Sequence, residues 1–202
     1  MNNTNFLFDI GNVLLDFSFT PLQQEIANSS QATLAQVQAE WQAPAHFEVE
    51  TGKINATDYF ALFSQRLGLT WTYEQWIDQW SQIFTPNPDL HGLYLDLLQQ
   101  GHTVAMLSNL APHHVTAIER GSPGFFDTAT HLFFSFELGL HKPDPAIYRA
   151  VAQRLNCTPQ QCVFLDDMQV NVEGALSIGM RAIQVTPENH AEVEDFVRSL
   201  LV

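Results

Sequence analysis

The chain is poor in positive charge. Its 202 residues carry 8 Lys+Arg against 22 Asp+Glu, a formal charge of −14, and its only lysines are Lys53 and Lys142. Such a surface repels nucleic-acid phosphates and anionic lipid headgroups, which argues against nucleic acid and membrane as partners. Cysteine is also scarce. Cys157 and Cys162 are too few for a disulfide scaffold, and no second pair accompanies them for a zinc site. They read as ordinary thiols in a reducing cytoplasm. No apolar run approaches the ~18 residues of a membrane-spanning helix. The opening Met1-Asn-Asn-Thr-Asn5 lacks the basic region that begins a signal peptide. At 46% apolar and 15% charged residues, the composition excludes a disordered chain. What is expected is a cytoplasmic protein with one core and room for a modest insertion, burying roughly 70% of its unfolded surface.

Two patterns follow one another along the chain. Asn5-Phe-Leu-Phe-Asp9 is a short aromatic run that stops at an acid and reads as a buried strand; Gly11 then marks tight backbone. From about 20 to 85 the periodicity is helical, over 22–41, 55–67 and 73–84, with Trp41, Trp71, Trp76 and Trp80 all in this stretch. Asn55-Ala-Thr-Asp58 supplies a helix N-cap and a first-turn acid. Beyond Pro86-Asn-Pro88 the pattern alternates. Helices are expected over 89–100, 113–119, 145–155, 171–178 and 191–201, and strands over 103–107, 131–136, 162–165 and 181–185. Alternation predicts a parallel sheet with right-handed crossovers, and the first strand joins it because alone it is unstable. The expected fold is α/β: a Rossmann-like parallel sheet core over 1–16 and 86–202, with an inserted all-helical cap over 17–85.

Ligands of an open parallel sheet bind beyond the carboxyl ends of its strands. Phe6-Leu-Phe8 delivers Asp9 there, Val104-Ala-Met-Leu107 delivers Ser108 and Asn109, and Val163-Phe-Leu165 delivers Asp166 and Asp167. The loop Gly139-Leu-His-Lys-Pro-Asp-Pro145 brings Lys142. Each alone is more often a turn residue, a helix cap or a surface charge. Together they put three carboxylates, a hydroxyl and an ammonium on one edge, a set suited to phosphoryl transfer. A carboxylate attacks phosphorus and forms an aspartyl-phosphate. Bringing it to a phosphate dianion requires a divalent cation and a fixed positive side chain. Asp9, a backbone carbonyl near Gly11 and Asp167 offer the oxygen ligands Mg²⁺ takes. Ser108 and the Asn109 backbone N–H would donate to phosphate, with Lys142 offsetting charge.

These residues resemble a known family. Phe8-Asp-Ile-Gly-Asn-Val-Leu14, Leu107-Ser-Asn109, Leu138-Gly-Leu-His-Lys-Pro-Asp-Pro145 and Phe164-Leu-Asp-Asp-Met-Gln-Val-Asn171 resemble, in order and spacing, the motifs of haloacid dehalogenase-like (HAD) superfamily hydrolases. The likeness covers nearly the whole chain, including Gly124-Phe-Phe-Asp127 and Pro145-Ala-Ile-Tyr148. It implies that the helical insertion is the family's small cap. It implies that Asp9 is the nucleophile and a Mg²⁺ ligand, that Ser108 and Asn109 bind phosphate, and that Lys142 stabilises it. Asp167 matches the metal-binding acid, with Asp166 binding the ion or supporting its ligands. The later acid of that motif is Asn171 here, which could orient a metal-bound water without adding charge. One departure stands out: family phosphatases usually carry an Asp two residues after the nucleophile, as general acid/base, and here that residue is Gly11. Losing such a group typically removes ~10²–10⁴-fold in rate. The Asp-x-Gly-Asn-Val form resembles a branch that includes bacterial sugar-phosphate phosphatases, among them ones acting on glucose 1-phosphate. Sugar 1-phosphates have better leaving groups than ordinary alcohols, so weak acid assistance would suffice.

The resulting expectation is a Mg²⁺-dependent phosphatase of small phosphorylated metabolites, with sugar phosphates first, a monomer or dimer whose cap opens and closes over the site. Two alternatives stand beside it. One is a catalytically weak HAD-fold protein that binds a phospho-ligand or partner, supported by Gly11. The other is a 2-haloacid dehalogenase, against which the Asp166-Asp167 pair weighs because it calls for a cation. Asp16 is either a substitute acid or a turn residue. His113-His114 lack the spacing of a metal pair and either cap a helix or line the pocket. His141 is a candidate substrate contact. Phe47, Glu48 and the 50–53 turn are candidates to cover the site. Lys53 either meets a sugar or phosphate or is a solvated turn lysine. Trp71, Trp76 and Trp80 are expected in the cap core.

Overall fold

The computed structural model describes residues 4–201; positions 1–3 of the segment read for a signal peptide lie outside them. In chain order the elements are β1 (Asn5–Phe8), β2 (Leu15–Phe17), α1 (Phe19–Asn28), α2 (Leu34–Glu40), α3 (Pro44–Glu50), α4 (Ala56–Leu67), α5 (Tyr73–Ser81), β3 (Phe84–Pro86), α6 (Pro88–Gln99), β4 (Thr103–Ser108), α7 (Pro112–Gly121), β5 (His131–Phe134), α8 (Ser135–Leu138), α9 (Pro145–Arg154), β6 (Cys162–Asp166), α10 (Gln169–Leu176), β7 (Arg181–Gln184) and α11 (His190–Ser199). Five strands form a parallel sheet in the order β5-β4-β1-β6-β7. Side chains alternate across it. Phe6 and Phe8 pack with Leu93 and Leu97 of α6 and with Val193 and Val197 of α11. Leu7, between them, packs on the other face with Ile147 and Val151 of α9. Both faces are covered, which is why the strands read as unbroken apolar runs. The chain builds outward from β1 to β4 and β5, then crosses to β6 and β7. The switch in direction therefore lies at the carboxyl end of β1.

The insertion leaves and re-enters the core through a ribbon that the periodicity did not reveal. β2 and β3 pair antiparallel, Leu15 with Pro86 and Phe17 with Phe84. The helix expected over 73–84 stops at Ser81, because the chain straightens into β3. Strands of three residues carry too little alternation to recognise. The helix expected over 22–41 is two helices. The N–H of Ser29 closes α1 on Glu25 and Ile26, and a Thr33–Gln36 capping box opens α2. Pro44 begins α3 instead of only breaking the chain. The expected cap of α4 is present: Asn55 Oδ1 accepts from the Asp58 N–H at 2.8 Å. β5 ends at Phe134, short of 136, because Ser135 turns the chain into α8; its Oγ accepts from Leu110 N–H (3.0 Å) and donates to Leu110 O (3.1 Å).

The helices of the insertion share a core of Val37, Tyr59, Phe63, Trp76 and Trp80, with Trp41 and Trp71 partly buried against it. Helix α5 seats this unit on α7. Trp76 and Trp80 meet His113 and His114 with ring centroids 4.5 and 4.6 Å apart. Arg120 of α7 pairs with Glu74 at 2.7 Å and Asp78 at 2.6 Å. Among the described residues no helix is long and apolar enough to cross a membrane.

Candidate active site

Parallel pairing gathers the strand-end groups. Asp9 follows β1, and its N–H donates to Leu165 O of β6 at 2.8 Å, holding it in the ladder. Ser108 ends β4, and Asp166 ends β6 with Asp167 next. Asp9, Asp166 and Asp167 offer carboxylate oxygens that all lie within 4.8 Å of one another. Lys142, only 2% exposed, reaches in from its loop. Its Nζ lies 2.8 Å from Asp9 Oδ1 and 2.6 Å from Asp166 Oδ2, and it donates to Leu107 O at 3.1 Å. Asp166 is fully buried, and its Oδ1 accepts from Met168 N–H (2.8 Å) and Asn171 Nδ2 (2.9 Å). Its hydrogen bonds make it the fixed counter-charge of Lys142. Asp167 is more open; its Oδ2 accepts from Asn12 Nδ2 at 3.0 Å.

Burial pushes the Asp9 carboxyl up to about 6, against the pull of Lys142 and with Asp166 adding to the rise. Burial also raises Asp167. Burial works against the Lys142 ammonium, but Asp9 and Asp166 outweigh it and hold the lysine above its ordinary value. One ammonium thus faces three carboxylates, leaving the cluster short of positive charge. Its donors are all hard oxygens, which fit a divalent cation such as Mg²⁺.

A second set of bonds holds the lysine loop. Asn109 Oδ1 accepts from Lys142 N–H (2.9 Å), and its Nδ2 donates to Lys142 O (3.0 Å). The Asn109 side chain therefore positions Lys142, which the sequence reading did not foresee. His141 Nε2 donates to Glu50 at the end of α3 (3.1 Å), and the other Glu50 oxygen lies 3.4 Å from His46 Nε2. Burial opposes the Glu50 charge, but hydrogen bonds from His141 and His46 prevail and hold its pKa down at about 2.

Above Asp9 lies a cavity of about 250 Å³. Asp9, Ser108 and Lys142 form one end; Phe17, Phe19, Trp80 and Phe84 form apolar walls; Glu50 and His114 supply polar groups. Gly11 lines it too, and a Cβ there would stand 2.6 Å from Phe17 Cε1. The place of the missing acid is filled by a ring. Asp16 is not in this wall: its Oδ1 accepts from Asn87 Nδ2 at 3.2 Å and ties the ribbon to the start of α6. His114 meets both of its expected roles. Its Nδ1 accepts from Ala111 N–H at 3.1 Å, capping α7, and its ring lines the cavity. His141, Phe47 and Lys53 are not in the cavity wall; Lys53 Nζ sits 5.5 Å from the centre of the Phe47 ring. Asn12 was not singled out from sequence, whereas Glu50 begins the 50–53 turn expected to cover the site and lines the cavity. The signal for Asn12 was an Asn beside a Gly after an acid-ended strand, where it adopts the left-handed φ of 52° that Asn tolerates.

Residues 4–179 match the family of haloacid dehalogenase-like hydrolases. D-ribitol-5-phosphate phosphatase of Bacteroides thetaiotaomicron is 27% identical over 195 residues, 93% of this chain and 93% of its own. The sesquiterpene phosphatase astK of Aspergillus oryzae is 25% identical over 183 residues, 89% of this chain and 88% of its own. A HAD family enzyme of Bacteroides thetaiotaomicron, crystallised with magnesium and inorganic phosphate, has the same fold: TM-score 0.82 over 92% of this chain and 96% of its own, at 19% identity. The chain therefore belongs to the haloacid dehalogenase-like hydrolase family and stands among its phosphatases.

Proposed function

We propose that this hydrolase is a Mg²⁺-dependent phosphatase of small phosphorylated metabolites, sugar phosphates foremost, working through an aspartyl-phosphate on Asp9. The observation that carries the reading is the cluster of Asp9, Asp166 and Asp167, with oxygens within 4.8 Å, around a buried Lys142 beneath a small cavity. In this reading residues 1–16 and 86–202 form the catalytic core and 17–85 the cap. The neighbouring relative named for D-ribitol 5-phosphate supports a small hydroxylated substrate. The free Cys157 and Cys162 thiols support a cytoplasmic setting, and the charge of −14 supports a monomer or dimer without nucleic acid or membrane partners.

Asp9, Asp167, the Gly11 carbonyl and, behind them, Asp166 would hold the ion, which when bound supplies the positive charge that lets a carboxylate approach a phosphate dianion. An Asp9 oxygen attacks phosphorus, and the bond to the ester oxygen breaks. Water then cleaves the acyl phosphate and returns the Asp9 carboxylate with inorganic phosphate. Ser108 Oγ donates to a phosphate oxygen, and Lys142 balances the charge on nucleophile and phosphate. Gly11 offers the leaving oxygen no proton, and the Phe17 ring excludes a side chain there. Esters with good leaving groups, sugar 1-phosphates among them, are expected to turn over fastest.

The test is phosphate release from a panel headed by glucose 1-phosphate and other sugar phosphates, with Mg²⁺ and with chelator, for the wild type and Asp9→Asn. Chelator and the substitution should each lower release, the latter by at least about 10³-fold. If no compound releases phosphate above the Asn variant while the protein stays folded and binds Mg²⁺, the phosphatase reading fails. The absent acid at Gly11 would then favour a phospho-ligand-binding protein, and halide release from a 2-haloacid would mark a dehalogenase.

A further inference from the structure

We infer that His114 and Trp80, which the proposed chemistry does not use, read hydroxyl groups on the leaving part of the substrate and so select hydroxylated phosphate esters. The inference rests on the phosphatase reading. His114 is 5% exposed, and its ring is fixed by the helix it caps. Because Nδ1 accepts from Ala111 N–H, the neutral ring carries its proton on Nε2. Burial keeps the ring neutral by pulling its pKa down to about 4. Nε2–H is therefore a fixed donor, and among the described residues it has no acceptor. The Trp80 indole N–H, on a ring 2% exposed, has none either.

The two rings are neighbours, with centroids 4.6 Å apart, and both stand in the wall of the cavity above Asp9. That location separates them from Trp76 and His113, whose ring nitrogens also lack partners but which do not line it. Buried donors normally find acceptors, and leaving them bare costs free energy. Glu50 adds a carboxylate acceptor to the same wall, anchored by His141 at 3.1 Å. Two donors and an acceptor complement the hydroxyls of a polyol or sugar. The rings of Phe17, Phe19 and Phe84 meet its C–H faces. An alkyl ester would enter the same space and leave both donors unsatisfied, the situation in which polar sites discriminate most strongly.

The experiment compares kcat/KM for a five-carbon polyol phosphate and for pentyl phosphate, with Mg²⁺, in the wild type, His114→Met, His114→Gln and Trp80→Phe. The quantity read is the ratio of the two esters, which cancels any loss of folded enzyme. His114→Met should lower the ratio by about 10–100-fold, and Trp80→Phe, which keeps the ring and removes the N–H, by about tenfold. His114→Gln should hold it within about threefold, because a glutamine at this position can accept from the N-cap N–H and still donate an amide proton. An unchanged ratio in His114→Met overturns the inference alone. A glutamine variant that falls as far as the methionine variant also overturns it, since shape and not the donor would then be at work. A wild type that hydrolyses sugar phosphates but prefers pentyl phosphate to the polyol phosphate overturns this inference alone, whereas one that releases phosphate from no compound, glucose 1-phosphate included, overturns the phosphatase reading and this one with it.

Discussion

Lys142 is one of two lysines, and the fold places it where its charge matters most. Burying an ammonium is expensive unless partners hold it, and here the partners are Asp9 at 2.8 Å and Asp166 at 2.6 Å. Lys142→Met would leave two buried carboxylates uncompensated. The expected loss is about 3–5 kcal/mol in Mg²⁺-free urea unfolding, together with loss of phosphatase activity; a midpoint equal to wild type would show that the pair does not hold the core. Gly11 poses the opposite problem. Adding the family's acid by Gly11→Asp has to displace the Phe17 ring from 2.6 Å, and that ring also packs on Phe19 at 4.9 Å. The variant should be less stable by about 1–3 kcal/mol, and Phe17→Leu in the same chain should recover part of it. Equal melting temperatures for all three proteins would mean that the ring yields freely. A gain in turnover, confined to poor leaving groups, is expected only once the ring has been trimmed.

At the scale of elements, the insertion meets the core in two different ways. Helix α5 rests on α7 through an aromatic layer, Trp76 and Trp80 on His113 and His114, rimmed by the Arg120 pairs. Helix α3 meets the lysine loop through a polar contact, Glu50 to His141, followed by a turn at Gly52. Gly52 has φ +69°, and a Cβ on it would come 2.3 Å from Phe136 O of α8. Backbone cannot give way as a side-chain tip does. Gly52→Ala is expected to cost at least about 2 kcal/mol and to raise KM, since Glu50 on the cavity wall ends the same helix. Chemical denaturation with parallel kinetics checks this; unchanged values for both would show that α3 and α8 tolerate separation.

For the whole molecule, the buried histidines couple stability to pH. Burial lowers His113 well below 6.5 and His114 to about 4. Both groups are neutral in either state above the unfolded value of 6.5, so their neutral burial carries no pH-linked penalty there. As pH falls below it, the unfolded chain binds protons that the folded chain refuses. Stability should then fall by about 1.4 kcal/mol per pH unit per histidine, until folded His114 protonates near 4. Urea midpoints between pH 7.5 and 5 measure the slope, and a His113→Phe, His114→Gln double variant should flatten it. A slope as steep in that variant as in wild type would assign the effect to other groups.

The sequence by itself determined the sheet and what its strands deliver. Apolar runs ending in Asp9, Ser108 and Asp166 are local features, readable because both faces of a parallel sheet are buried and its ligand edge is set by strand direction. Helix starts at Asn55 and Thr72 were legible or recoverable for the same reason, since a cap bonds within a few residues. Only the tertiary structure decided the rest. The ribbon of β2 and β3 depends on a pairing between residues far apart in the chain and too few to show a period. Asn109 grips a loop 33 residues away, and Glu50 meets His141 across 91. Whether Gly11 left a gap depended on where Phe17 turned. Contacts of this kind arise from how elements pack, and local pattern carries no record of which surfaces will meet.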